Sequence, residues 1–130
     1  MSESATQVLL VDDEPTLLKM MALYLGRLGY RVTTAKTTEQ AWAAVEGAPE
    51  QFAVAVLDAT MEGVGVHELA TRMLAASPGL RVLAASGYPV DMSAVAAQAP
   101  GRVAFLQKPF TPEMLAAAVR RMLGSEKENV

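Results

Sequence analysis

Five side chains in this sequence could share one piece of chemistry, although they lie far apart along the chain. Asp12 and Asp13 stand together after one apolar run, Asp58 closes a second, Ser86 a third, and the Lys108-Pro109 step follows a fourth. If the fold gathers them, three carboxylates crowd around one ammonium and one hydroxyl. Carboxylates that close repel one another and are costly together unless a cation joins them. An oxygen-only donor set selects a hard ion such as Mg2+, with Mn2+ as the alternative. One carboxylate can then attack a phosphorus centre and form an acyl phosphate. The ion, the lysine and the hydroxyl would neutralise and position the oxygens of the transferring group. Asp58 is the natural nucleophile because it stands alone, and Asp12 and Asp13 are the natural metal holders.

Each fragment also has a plain structural alternative. Asp12-Asp13 suits a turn or a helix N-cap after a strand. Ser86-Gly87 alone is a turn, and Lys108-Pro109 alone is a surface loop. Only the combination carries the chemistry, so the elements that could assemble it decide the matter.

Those elements alternate. Gln7–Val11 is an apolar strand of the kind buried on both faces of a sheet. A helix follows, with Pro15 in its first turn and Gly29 at its end. Its apolar face is Leu17, Leu18, Met21, Leu25 and Leu28. Arg31–Ala35 is a second strand, and Thr38 caps a helix through Val45. Phe52–Leu57 is a third strand, Val66–Ala76 a helix stopped by Pro78-Gly79, and Leu80–Ala85 a fourth strand. An Ala-rich helix over Asp91–Gln98 leads to Val103–Leu106, the fifth strand. Thr111 caps a last helix, with Pro112 at its start, that runs to about Leu123. Five strands alternating with five helices predict an α/β fold, a parallel sheet with helices on both faces. Sites in such sheets lie beyond the carboxyl ends of the strands. Asp12-Asp13, Asp58, Ser86 and Lys108 all fall there.

The 130 residues make one domain, with a core over about 7–123 and short polar tails. At 52% apolar the chain is globular, and none of its apolar runs reaches membrane-span length. The first residues lack the pattern of a signal peptide. Without cysteine there is neither a disulfide nor a thiolate metal site, which suits a cytoplasmic location. A net charge of −3 without a Lys/Arg stripe disfavours nucleic-acid binding. His67, the one histidine, is expected at the surface without a catalytic role, Trp42 is expected to pack, and Tyr88 to stand at the mouth of the site.

Val11-Asp12-Asp13-Glu14-Pro15, Leu57-Asp58, Ala85-Ser86-Gly87-Tyr88 and Gln107-Lys108-Pro109-Phe110 together resemble the receiver domains of response regulators in two-component systems. The resemblance covers roughly residues 7–123. It implies a flavodoxin-like strand order 2-1-3-4-5 and a phosphoacceptor function for Asp58. It implies that Asp13 binds Mg2+ directly, Asp12 mostly through water, and Thr60 through its backbone carbonyl. Ser86 would hydrogen-bond the phosphoryl group, Lys108 would pair with it, and Pro109 would follow a cis peptide bond. The donor would be a histidine kinase or a histidine phosphotransfer domain. Ser86 and Phe105 would move together as a switch, Phe105 standing where the family more often has Tyr. The loop after Asp58 departs from the family: Glu62 replaces its usual proline and Val66 its usual glycine, with Gly63 and Gly65 nearby.

Helical spacing places Thr16, Met20, Leu23 and Arg27 in a strip beside the apolar face of the first helix, and the resemblance makes that strip the donor's docking surface. The fourth and fifth helices, with the strand between them, would carry the output. They hold few charges, so the resting protein is expected to be a monomer. The chain is expected to be either a stand-alone regulator or the receiver of a hybrid histidine kinase. Other classes fit worse. A haloacid-dehalogenase-type phosphatase would need an Asp at Thr60, the sequence has no G-x-x-x-x-G-K-[ST] loop, and no Gly-rich turn follows the first strand. The full acidic set and Lys108 argue against a degenerate receiver that only binds partners.

Overall fold

The computed structural model describes residues 5–128. Its five strands are β1 (Gln7–Val11), β2 (Arg31–Ala35), β3 (Val54–Asp58), β4 (Arg81–Ser86) and β5 (Val103–Gln107). Its helices are α1 (Pro15–Arg27), α2 (Thr38–Gly47), α3 (Val66–Ala76), α4 (Ser93–Gln98) and α5 (Pro112–Glu128). All strand pairs are parallel, in the order β2-β1-β3-β4-β5, as expected. β3 is buried along its whole length, which is why it reads as a continuous apolar run rather than an alternating one.

Alternation along the strands divides the core in two. Leu9, Val11, Ala55, Leu57, Val82 and Ala84 face α2, α3 and α4. Val8, Leu10, Val54, Val56 and Leu83 face α1 and α5. Leu25 of α1 is fully buried in that second layer. Leu25→Ala is expected to cost about 2–5 kcal/mol, the range for deleting a buried leucine side chain, measured by urea denaturation.

Several boundaries differ from those predicted, each for a local reason. Thr37, not Thr38, caps α2: its hydroxyl oxygen accepts the Gln40 N–H at 3.0 Å. Thr38 is buried inside the first turn, and the helix continues past Val45 to Gly47. Leu28 does not join the apolar face of α1. The helix ends at Arg27, Gly29 takes a φ of 101°, and Leu28 is left 48% exposed. β3 begins at Val54, although Phe52 ahead of it is buried against the core. β4 and β5 each reach one residue further than expected, to Ser86 and Gln107. α4 starts at Ser93, because the Asp91 side chain accepts the Ser93 N–H at 2.9 Å in a turn before the helix. α5 does not stop near Leu123 but runs to Glu128, so the expected C-terminal tail is largely helix. A single Gly124 costs only about 1 kcal/mol in a helix, and no Pro follows to end it. The expected N-terminal tail falls mostly outside the described residues.

Candidate functional site

Strand register brings the reactive residues to one edge. Val11 pairs with Leu57, Asp58 with Ala85 and Ser86 with Gln107, so the C-terminal ends of β1, β3, β4 and β5 finish side by side. Asp12 and Asp13 follow β1 directly, Asp58 is the last residue of β3, and Lys108 follows β5. The Asp12 N–H donates to the Ala35 carbonyl at 3.1 Å, and the Lys108 N–H to the Ser86 carbonyl at 2.8 Å. These bonds extend the sheet into the loops and fix where the side chains start. The Lys108-Pro109 bond is cis.

The three carboxylates converge, with oxygens of Asp12, Asp13 and Asp58 all within 4.8 Å of one another. Asp12 and Asp58 are buried and Asp13 is exposed at the rim. The Lys108 ammonium lies 3.0 Å from Asp12 Oδ2 and 3.5 Å from Asp58 Oδ2. Asp12 Oδ1 accepts the Glu14 N–H at 3.0 Å. Asp58 Oδ1 accepts two bonds from Thr60, one from the backbone N–H at 3.0 Å and one from the hydroxyl at 2.8 Å.

One ammonium does not balance this cluster. Burial pushes the Asp12 carboxyl above its ordinary range, and the neighbouring Asp58 charge adds to the rise. Lys108 and the Glu14 N–H oppose it without cancelling it. For Lys108, burial alone would lower the pKa. The hydrogen bond to Asp12 and the attraction of Asp12 and Asp58 outweigh it and hold the lysine above its ordinary value. A simple ion pair would lower the acid as it raised the base. Here both rise: Asp12 chiefly through burial, with the Asp58 charge adding to it, and Lys108 through its bond to Asp12 and the two nearby carboxylates. An oxygen-lined cluster with surplus negative charge fits a hard divalent cation.

Ser86 is fully buried at the end of β4, and its hydroxyl oxygen accepts the Tyr88 N–H at 3.0 Å. Phe105 on β5 is 37% exposed, and Tyr88 is 70% exposed. Beside Lys108 opens a cleft of about 530 Å³ lined by Glu14, Leu17, Gly87, Tyr88, Pro109 and Phe110. Thr16, Met20, Leu23 and Arg27 are all exposed, but none of them lines that cleft. Leu23 instead borders a groove between α1 and β2. Glu14, the N-cap of α1, and Leu17 in its first turn line the cleft; the sequence marks them only as part of the Val11–Pro15 motif and of the helix's apolar face.

The atypical loop after Asp58 has its own logic. Gly63 adopts a φ of 100°, and a Cβ there would lie 2.6 Å from Thr38 Oγ1. Glycine is required both by the backbone and by the close approach to α2. His67 is exposed, as expected, and its Nε2–H donates to the Asp91 carbonyl at 2.7 Å. Trp42 packs against the first core layer.

Comparison with known proteins agrees with this geometry. The family model of the response regulator receiver domain matches residues 8–120. The chain belongs to the response regulator receiver domain family. Among curated relatives it is 33% identical over 123 residues to the alginate biosynthesis transcriptional regulatory protein AlgB of Pseudomonas aeruginosa, covering 94% of this chain and 27% of that protein. It is 30% identical over 119 residues to the transcriptional regulatory protein GlrR of Escherichia coli, covering 92% of this chain and 26% of that one. The receiver thus spans about a quarter of the length of these relatives. A solved CheY-like receiver domain protein from Methanospirillum hungatei superposes with a TM-score of 0.83 at 25% identity, covering 98% of this chain and all of that one. The receiver domain of the hybrid histidine kinase CckA superposes with a TM-score of 0.71 at 26% identity, covering 90% of this chain and 98% of that chain. Among the described residues, no helix is long and apolar enough to cross a membrane.

Proposed function

We propose that this receiver takes a phosphoryl group onto Asp58 from a phosphohistidine donor, in a reaction that depends on a divalent cation, and then changes the surface it offers a partner. One observation carries the proposal: three carboxylates within 4.8 Å of one another share one lysine, which lies 3.0 Å from Asp12 and 3.5 Å from Asp58. Asp58 is the acceptor because it ends the central strand β3 with one carboxylate oxygen on the lysine's side. Asp12, Asp13 and Asp58, with the Thr60 backbone carbonyl, would hold Mg2+. When bound, the ion supplies neutralising charge for the phosphoryl oxygens. Lys108 supplies a second positive charge, and its hydrogen bond to Asp12 keeps the ammonium at the site. The domain so described assists its own phosphorylation without being an enzyme toward an outside substrate. The test is intact mass after incubation with acetyl phosphate. One added phosphoryl group with Mg2+, and none with EDTA, is expected. Equal labelling in both would refute the cation requirement.

The switch follows from the same chemistry. New phosphoryl oxygens offer the Ser86 hydroxyl a charged partner. Ser86 is then drawn toward Asp58, and Phe105, now outward, fills the space left behind. Structures with and without beryllofluoride are expected to show Phe105 turning inward, and an outward ring in both would break the coupling.

For the donor, a histidine kinase or a histidine phosphotransfer domain, the exposed strip of Thr16, Met20, Leu23 and Arg27 is the docking surface. Met20 and Leu23 are 48% and 54% exposed, a high value for adjacent large apolar side chains. Met20→Lys combined with Leu23→Glu is expected to slow transfer from a histidine donor by at least about tenfold, the loss of one or two interface anchors. Labelling by acetyl phosphate should stay as in the wild type. Equal slowing of both routes would make the strip structural.

A further inference from the structure

β2 lies at one side of the sheet, and among the described residues it pairs only with β1. The Arg31 N–H donates to the Thr6 carbonyl at 2.9 Å, and the Ala35 carbonyl accepts the Asp12 N–H at 3.1 Å. Along a parallel strand each residue turns both main-chain groups to one neighbour, and the next residue turns them the other way. Arg31, Thr33 and Ala35 therefore bond to β1, while the N–H and C=O of Val32 and Thr34 face outward. Such an edge is a template for a further strand. Beside it runs a groove of about 620 Å³ between α1 and β2. Leu18, Ala22, Leu23 and Val32 give it an apolar lining, and Lys19 and Lys36 stand along it.

The charge around this groove has one sign. Between Glu14 and Glu39 the sequence holds Lys19, Arg27, Arg31 and Lys36 and no acid, in a chain whose net charge is −3. All four side chains are exposed, and none has a hydrogen bond or ion pair among the described residues. The helix between two parallel strands runs back against them. Lys19 and Lys36 thus lie toward one end of the groove, and Arg27 and Arg31 toward the other.

We propose that the β2 edge docks an extended segment of another protein, apolar in its middle and acidic at both ends, which adds to the sheet beside β2. Its main chain pairs with Val32 and Thr34, alternate apolar side chains enter the groove, and its acidic ends meet the two basic pairs. The open main-chain groups select a polypeptide over a nucleic acid or a lipid headgroup, because neither of those can continue a strand ladder. The same charges exclude a second copy of this chain. Two β2 edges paired antiparallel would set Arg31 of one copy near Lys36 of the other, and like charges opposite one another destabilise such a pair.

The probe is a fluorescein-labelled synthetic peptide of strand length, with valine and threonine alternating in the middle and glutamates at both ends. Binding to the whole chain is read by fluorescence anisotropy at low salt, and exchange of individual amides by NMR. The Val32 and Thr34 amides are expected to exchange fast in the free protein. At a peptide concentration about ten times Kd they should slow about tenfold, while the Thr33 and Ala35 amides change little. Lys19→Glu combined with Lys36→Glu is expected to weaken binding by at least about tenfold, since like charges then face the peptide's ends. Thr34→Pro removes an outward N–H and leaves the bonds to β1 in place. It is expected to weaken binding roughly three- to tenfold, the worth of one hydrogen bond. A peptide that fails to bind, or binds without slowing the Val32 and Thr34 amides, would overturn the proposal. So would binding that the double charge reversal leaves unchanged in a protein that melts as the wild type does. Phosphatidylserine vesicles or an oligonucleotide binding more tightly than the peptide, with those amides still fast, would make the patch a surface for anions and overturn it equally. Protection of the two amides that grows with protein concentration alone would assign the edge to a second copy instead.

Discussion

Asp58→Asn is expected to take up no phosphoryl group from acetyl phosphate while remaining folded. Asparagine matches aspartate in shape, and its amide oxygen can still accept the two bonds that Thr60 gives Asp58 Oδ1. The buried position at the end of β3 is therefore filled without a void. The substitution removes one of three crowded carboxylates, so repulsion within the cluster falls and stability should not suffer. What is lost is the nucleophile, since an amide has no charged oxygen to form the acyl phosphate. Losing a catalytic nucleophile costs at least about a thousandfold in rate, which puts labelling below detection. Intact mass and peptide mapping after incubation with acetyl phosphate and Mg2+ would measure it. Undiminished labelling that maps to Asp12 or Asp13 would move the acceptor to β1, and a melting temperature far below wild type would reveal a structural role instead.

The sheet and its reactive edge were legible because both leave strong local marks. Three strands, β1, β3 and β4, are short buried apolar runs, and a polar residue of the site ends or directly follows each. The strand order came through the family resemblance, not through periodicity, because parallel strands all look alike in sequence. Less legible were features that depend on one residue's neighbours in space. Leu28 lies in helical phase with Leu25, yet the chain turns at Gly29 and leaves it in solvent. Thr37 and Thr38 are equivalent as letters, and only the bond to the Gln40 N–H separates cap from first turn. The end of α5 lacked any stop signal, and the helix ran on. In the site, Asp58 and Lys108 announced themselves, but the Thr60 hydroxyl did not. A threonine two residues after an aspartate does have a known habit of local hydrogen bonding, and that was the available signal. Glu14 and Leu17 were visible only as a motif residue and an apolar-face residue, because their place at the cleft depends on Lys108, Pro109 and Phe110 across the fold. Gly63 was noted only as a departure in the loop. Its reason, the approach to Thr38, lies across the fold.

Removing the divalent cation, or the carboxylate at position 13, is expected to stop phosphoryl uptake by a different route from the loss of Asp58. The metal-free cluster is electrostatically strained. Because the Asp12 pKa is raised above 3.8, chiefly by burial, the native state holds that proton more tightly than the unfolded chain does. Stability of the metal-free protein therefore falls as the pH rises from about the unfolded value through the higher folded value. Lys108 has the opposite role. Its raised pKa contributes stability that is fully present up to 10.5 and is lost only above that, through its folded value. At neutral pH the lysine is thus already charged, and only an added cation can relieve the remaining repulsion. Mg2+ should stabilise the wild type at pH 7 and so raise its melting temperature; the stabilisation grows with the logarithm of the Mg2+ concentration above Kd and reaches about 2.7 kcal/mol at a hundred times Kd. Asp13→Asn removes the exposed carboxylate, the one whose loss disturbs the fold least. Losing even an indirect partner of a metal site costs about 10–100-fold in affinity, so losing a direct ligand should cost at least that much. At a Mg2+ concentration near the wild-type Kd, where wild type is half occupied, the labelling rate of Asp13→Asn should fall by about half that factor, roughly 5–50-fold, and excess Mg2+ should recover part of it. Calorimetric titration with Mg2+, run beside the labelling assay, would show whether Asp13 holds the ion. An Asp13→Asn protein that binds Mg2+ as tightly as wild type would remove Asp13 from the ligand set, whatever its labelling rate.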